Sequence, residues 1–268
     1  MQLSLRRQIT GAVPQPVRYG LRRLLYRGNA IRCPLCEAPV STYISHGAEF
    51  DVLKRRKVVG GLVREYDQCP ACRGADRTRL MMLYLKNVLM VGQKQVRILH
   101  IAPDFGLYLW IKRQEKVDYV ASDLDLSRYR HIDNIQKADI TAMPFPENDF
   151  DIVICSHVLE HIPDDRKAMQ EILRILKPGG SALLMVPLAT DGKGTEEQPN
   201  INNPQEQERL FGQWDHVRLY GKDDFIDRLS KVGFAVKPFN GYDQFPDDAE
   251  SLLLNAEETL VVSIKQDS

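Results

Sequence analysis

The sequence predicts an α/β protein, a doubly wound and mostly parallel sheet preceded by a small metal-binding module. Three observations carry this reading. From about residue 95 onward, short apolar runs alternate with amphipathic helical stretches, the pattern of strands buried on both faces by helices. Ahead of them stand two Cys-x-x-Cys pairs. The 268 residues, 43% of them hydrophobic, suit one large domain with an appendage.

Residues 1–30 form a basic leader, with Arg6, Arg7, Arg18, Arg22, Arg23 and Arg27 and no acid. Tyr19–Gly28 predicts a short amphipathic helix with Leu21, Leu24 and Leu25 on one side. Such a helix suits peripheral contact with an anionic membrane surface, beside the plainer expectation of a solvated leader. An Arg-rich, acid-free start also resembles a transit peptide. Over the whole chain Lys+Arg and Asp+Glu both number 36, so charge gives no global sign of a nucleic-acid partner. No apolar run approaches the roughly 18 to 20 residues of a spanning helix, and no secretory pattern opens the chain. A cytoplasmic setting is expected, membrane-peripheral at most.

Residues 31–80 read as a zinc-ribbon-like module. IRCPLC and DQCPAC place Cys33, Cys36, Cys69 and Cys72 on two tight turns, each offering half of a tetrahedral Zn²⁺ site. Pro34 and Pro70 stiffen those turns. Between them VLKRRKVVGGLVREY predicts a β-hairpin turning at Gly60-Gly61. Four thiolates leave no position for water, so the role is structural. Arg73, Arg77 and Arg79 follow the second knuckle, to face an anionic substrate or cap the next helix. That helix, Arg77–Leu89, runs into a linking segment at 81–94.

In the main domain, 95–268, strands are predicted at QVRILHIA, DYVASD, IQKADI, FDIVICSH, SALLMVP, AVKPFNG and TLVVSIK. Helices are predicted at LYLWIKRQE, DDRKAMQEILRILK and DDFIDRLSKVG. The apolar positions Met169, Ile172, Leu173 and Leu176 recur at helical spacing, and Pro178-Gly179-Gly180 ends that helix. Cys155 lies in an apolar strand and reads as a packed thiol. Asp123 ends the second strand, where its carboxylate suits both hydroxyls of a ribose. Such charged hydrogen bonds contribute about 1.5 to 3 kcal/mol each. Asp139 ends the third, where it suits an adenine amino group; the plainer expectation for each acid taken singly is a helix cap or a turn residue. Asp125 is a weaker rival to Asp123, because it lies past the strand end.

The run ADITAMPFPENDFDIVICSHVLEHIPDDRKAMQEILRILKPGGSALLMVP resembles the middle of a class I S-adenosylmethionine-dependent methyltransferase of the small-molecule methyltransferase-like group. Its PFPENDFD approach, HVLEH exit and LKPGG turn carry the likeness. WDHVRLYGKDDFIDRLSKVGF is similar to the late part of a subgroup with a cysteine-pair module in front. The resemblance implies a Rossmann-like, seven-stranded sheet and S-adenosylmethionine as cofactor. The cofactor-binding positions it implies are His100, Ala102, Asp104, Gly106, Asp123, Asp139, Ile140 and Ser156. ILHIAPDFG then occupies the loop that normally reads like DxGxGxG, with His100 for the usual acid and Ala102 and Asp104 for glycines. Ala102 is a mild replacement unless its φ is positive. Asp104 is expected to meet the cofactor's amino group.

An oxygen acceptor needs a general base, and His157, His161 and His216 are the candidates. H-x-x-E-H is also a zinc-protease signature, but that requires a helix, and Pro163 ends this stretch. In some class I methyltransferases a Glu-x-x-Glu-His run in this place holds Mg²⁺. The resemblance therefore admits a divalent metal at Glu160 and His161 with His157 and His216, against the expectation that Glu160 and His161 brace the following loop. Glu196–His216 is polar and contains prolines, which predicts an irregular lid or substrate loop. The function these features favour is O-methylation of a small-molecule or glycan acceptor. RNA methylation gripped by the zinc module is the alternative, and a non-catalytic interaction module with an eroded cofactor loop is the third.

Overall fold

The computed structural model describes residues 15–267 other than residue 130, with side chains from residue 20. Arg6 and Arg7 lie outside the described residues. Helix α1 (Gln15–Leu25) leaves Leu21, Leu24 and Leu25 at least half exposed. Strand β1 (Arg27–Arg32) then pairs with β2 (Pro39–Val40) across the first cysteine knuckle.

The predicted hairpin at Gly60-Gly61 is not formed. VLKRRKVVGGLVREY instead contributes to helix α2 (Asp51–Arg55), β4 (Val58–Val59) and β5 (Arg64–Gln68). β5 pairs with β3 (Ile44–His46), whereas β4 pairs with β11 (Leu188–Ala189) far along the chain. The physical reason is burial. Val58 packs with Val52, Leu53, Ala189, Phe211 and Leu219 in one apolar cluster, and alternating apolar residues do not say which strand they will meet.

The main sheet has the order β14-β15-β10-β9-β6-β7-β8, so the expected seven-stranded, mostly parallel, doubly wound sheet is found. β6 (Val96–Ile101), β7 (Val117–Asp123), β8 (Gln136–Lys137), β9 (Phe150–Ser156) and β10 (Leu176–Met185) run parallel. β15 (Leu260–Lys265) is antiparallel to both β10 and β14 (Phe234–Phe239). Side chains alternate between two cores. Ile98, Ile152, Ile154 and Leu183 face α3 (Asp76–Asn87) and α4 (Phe105–Ile111). Leu99, Val153, Cys155 and Leu184 face α5 (Asp165–Ile175) and α7 (Lys222–Val232).

The cysteine module has no core of its own. Cys33, Leu35, Val40 and Tyr43 belong to the same apolar cluster as Leu107, Trp110 and Ile98. Arg79 fastens this arrangement, and the reading of it as a contact for an anionic substrate is corrected. It is 1% exposed and donates to Asp67 Oδ1 at 2.9 Å and to the Leu252 carbonyl at 2.6 Å.

Segment 196–216 is also more regular than expected. β12 (Glu196–Glu197) pairs with β13 (Arg218–Gly221), and α6 (Pro204–Phe211) lies between them. The helix is capped by Asn203, starts on proline and ends at Gly212 with φ +81°, all readable helix punctuation. Its last residue, Phe211, is buried beside α2.

Candidate functional site at the ends of the parallel strands

From β6 the chain runs outward through β7 and β8 and then returns to β9 on the other side of β6. The crevice at that reversal, outside the carboxyl ends of the strands, is where ligands bind such sheets. The structure places the loop 102–106, Asp123, Asp139, Ile140, Ser156 and His157 at or just beyond four of those ends.

The loop is held from beneath. His100 is fully buried; its Nε2 accepts the Asp104 N–H at 3.3 Å, and its Nδ1 lies 3.1 Å from the Tyr119 hydroxyl. Burial lowers its pKa to about 3, so the ring is neutral and supports the loop rather than facing a ligand. Asp104 is turned inward too. Its Oδ1 accepts the N–H groups of Gly106 and Leu107, and its Oδ2 the Thr78 hydroxyl. It therefore works as the N-cap of α4, not as a free acid for an amino group. Ala102 stands at φ +48°, so the condition for a mild replacement fails: an L-residue there costs roughly 1 to 2 kcal/mol. Gly106 packs against the cysteine module, where a Cβ would meet Cys72 Sγ and Leu35 at 3.1 Å.

Asp123 stands at the strand end expected of it, whereas Asp139 lies two residues past the end of β8. Asp123 is the last residue of β7 and accepts the Asp125 N–H at 2.7 Å. Asp125 folds back on Ser127, accepting its N–H at 3.0 Å and its hydroxyl at 2.7 Å. That turn holds one oxygen of the rival acid, which lies past the end of β7. Asp139 is exposed, with Oδ1 accepting the N–H and hydroxyl of Thr141 at 2.8 Å each, which holds its carboxyl below the usual range.

The three histidines converge. His157 follows β9 at φ +55° and its Nδ1 lies 3.3 Å from Glu160 Oε1. His161 and His216 meet edge to face with centroids 4.6 Å apart. Burial lowers the His216 pKa to about 4 and also lowers that of His157. Burial opposes ionisation of Glu160, but His157, His161 and His216 together act against it and hold the carboxyl down to about 2. In the module, the sulfurs of Cys33 and Cys72 are 3.7 Å apart and those of Cys36 and Cys69 3.9 Å, with all four ligand atoms within 4.8 Å of one another. Tetrahedral Zn–S bonds of about 2.3 Å put sulfurs roughly 3.8 Å apart, so the donor set fits the ion.

Sequence reasoning missed Glu258. It is 4% exposed, and a Cβ on Gly60 would lie 3.6 Å from its Oε2 and 3.7 Å from His157 Cε1. No motif marks it, because β4 reaches it only through tertiary folding. Half-buried Arg77 carries its charge to His157, Asp104 and Glu258.

Residues 106–184 match the family described as a methyltransferase domain. Over 52 residues the chain is 44% identical to the ubiquinone/menaquinone biosynthesis C-methyltransferase UbiE of Pasteurella multocida, covering 19% of each chain. It is 30% identical over 92 residues to the uncharacterized methyltransferase YcgJ of Bacillus subtilis, covering 34% of this chain and 35% of that one. The crystal structure of the Bacillus subtilis YcgJ protein gives a TM-score of 0.45 at 16% identity, covering 71% of this chain and 99% of that one. The aligned stretch thus spans between 19% and 35% of the length of these curated relatives.

Proposed function

Taking residues 106–184 as a member of the methyltransferase domain family, we propose that the chain is an S-adenosylmethionine-dependent methyltransferase acting on an oxygen of a small-molecule or glycan acceptor. The observation that carries this is the set of polar groups at the carboxyl ends of three parallel strands of one sheet: Asp123 on β7, Asp139 after β8 and His157 after β9. Asp123 would hold the ribose hydroxyls and Asp139 the adenine amino group, with Ile140 and Ser156 alongside and the 102–106 loop at the amino-acid end.

The bound cofactor supplies a methyl group already activated on sulfur. The chain's own task is then to position the acceptor, exclude water and take up a proton. Positioning alone is worth roughly 7 to 11 kcal/mol in favourable cases. Among the histidines, His157 is 21% exposed and burial lowers its pKa, so its ring would be the group that takes up the proton. His216 is buried, and His161 is held by Asp215. A structural Zn²⁺ on Cys33, Cys36, Cys69 and Cys72 would fix the module that covers the loop. Exposed Leu21, Leu24 and Leu25 beside Arg22 and Arg23 would support peripheral contact with an anionic membrane surface.

The UbiE relative is named a C-methyltransferase, which keeps a carbon acceptor as the second reading. The test is transfer of labelled methyl from S-adenosylmethionine to saccharides, small hydroxylated molecules, carbon acids and RNA in parallel. Label recovered as a methyl ether supports the proposal. Label on carbon alone replaces oxygen by the second reading, and label on RNA alone replaces the acceptor class.

A further inference from the structure

Glu160 is 1% exposed, and neither of its carboxylate oxygens has a hydrogen-bond partner among the described residues. His157 Nδ1 approaches Oε1 to 3.3 Å without hydrogen-bond alignment. A carboxylate withdrawn from water and left without bonds costs several kcal/mol, so such a group calls for another partner. The carboxylate itself braces no loop, although the Glu160 carbonyl and the His161 ring do hold residues 215–217. Its surroundings are donors of one kind. One ligand atom each from Glu160, His161 and His216 lie within 4.8 Å of one another, and the Nδ1 of buried His216 is likewise unpartnered.

The frame around these donors is rigid. His161 Nδ1 lies 3.3 Å from the Asp215 carbonyl and 3.4 Å from its Oδ2, which fixes the ring. Outer contacts of this sort orient metal-binding histidines. Arg218, 1% exposed, donates to the carbonyls of Leu159, Ile162 and Pro163 and locks the turn that carries Glu160. Val217 N–H bonds the Glu160 carbonyl at 3.0 Å, bringing His216 alongside.

We propose that Glu160, His161 and His216 bind one divalent transition-metal ion of the Zn²⁺ or Mn²⁺ kind, with His157 at the edge of the site. Two imidazoles and a carboxylate suit these ions better than Ca²⁺, which takes oxygen ligands throughout. Three protein ligands leave positions open, the mark of a site that takes up a substrate oxygen rather than a purely structural one. Serving the acceptor in this way rests on the proposed methyl transfer; metal binding itself does not.

The experiment uses full-length protein loaded with zinc at its four cysteines, titrated with Mn²⁺ and followed by loss of the free-ion electron paramagnetic resonance signal. Zinc-filled thiolates are a poor site for Mn²⁺. The expected result is one bound Mn²⁺ per chain, weakened at least tenfold in Glu160→Gln and in His216→Ala while zinc content is unchanged. If Glu160→Gln loses the fold, His161→Asn repeats the measurement. Absence of Mn²⁺ binding in the wild-type protein, or equal binding in the folded variants, overturns the proposal. S-adenosylhomocysteine binding is measured separately without added Mn²⁺, so its failure would remove the methyl-transfer reading and leave the metal site standing.

Discussion

A carbon atom added to Gly106 would stand 3.1 Å from the sulfur of Cys72. The one glycine retained in the loop is therefore the point where the cysteine module closes onto α4. Gly106→Ala should crowd Cys72, Leu35 and Gly74 together and destabilise the protein by about 1 to 3 kcal/mol. It should also speed zinc loss to a chelator. Denaturant unfolding and a chromogenic zinc assay read both effects; an unchanged midpoint and unchanged release would show that the contact is slack.

Ala102 is the converse case, an L-residue at φ +48°. Ala→Gly normally destabilises a folded element by roughly 0.5 to 1 kcal/mol. Here the glycine relieves left-handed strain of similar size or larger, so Ala102→Gly should leave stability unchanged or raise it by up to about 1 kcal/mol. Urea unfolding checks this, and a clear loss of stability would contradict the strained placement.

Glu258 gives a pH dependence. Burial first, then the charge of Asp76, raise its pKa to about 7 against an ordinary 4.5, while Arg77 and Arg64 act in the opposite direction. Between those values the folded protein holds a proton that the unfolded chain has released. Its contribution is therefore full below about pH 4.5 and lost as pH rises through about 7. Glu258→Gln should stabilise the protein at pH 8 relative to pH 5, by on the order of 1 to 3 kcal/mol. Melting curves at the two pH values test the sign, and an equal shift at both would contradict it.

Cys69→Ser should remove the zinc and lower the melting temperature of the whole molecule. The reason is the shared core: Cys69, Cys72 and Leu35 pack in one cluster with Ile98, Leu107 and Trp110. Calorimetry and metal analysis would show a single lowered transition in zinc-poor protein. A normal main transition, with only a separate small one lost, would mean that the module folds independently.

The central sheet was legible because β6, β7, β9 and β10 are largely apolar runs, and because burial on both faces leaves that pattern little freedom. Asp123 and the cysteine pairs were legible for the same local reason, each fixed by its own turn. What failed was long-range. Val58 and Val59 pair with Leu188 and Ala189, and nothing near Gly60-Gly61 announces that partner. The φ of Ala102, the inward turn of Asp104 and the bare carboxylate of Glu160 depend on neighbours brought in by folding, so residue type alone left their roles open. Helix α6 was different: Asn203, Pro204 and Gly212 spelled its ends, and the segment's polarity hid them.

The central claim is that the altered loop and Asp123 still form a working cofactor site. Calorimetric titration of zinc-loaded protein with S-adenosylhomocysteine, beside Asp123→Ala and Asp125→Ala, tests it most directly. The account predicts saturable binding in the wild type, weakened at least about tenfold by Asp123→Ala through loss of charged hydrogen bonds. Asp125→Ala should change it little, because that carboxylate is engaged by Ser127. Absence of binding in folded, zinc-loaded wild-type protein, or an affinity unmoved by Asp123→Ala, would contradict it.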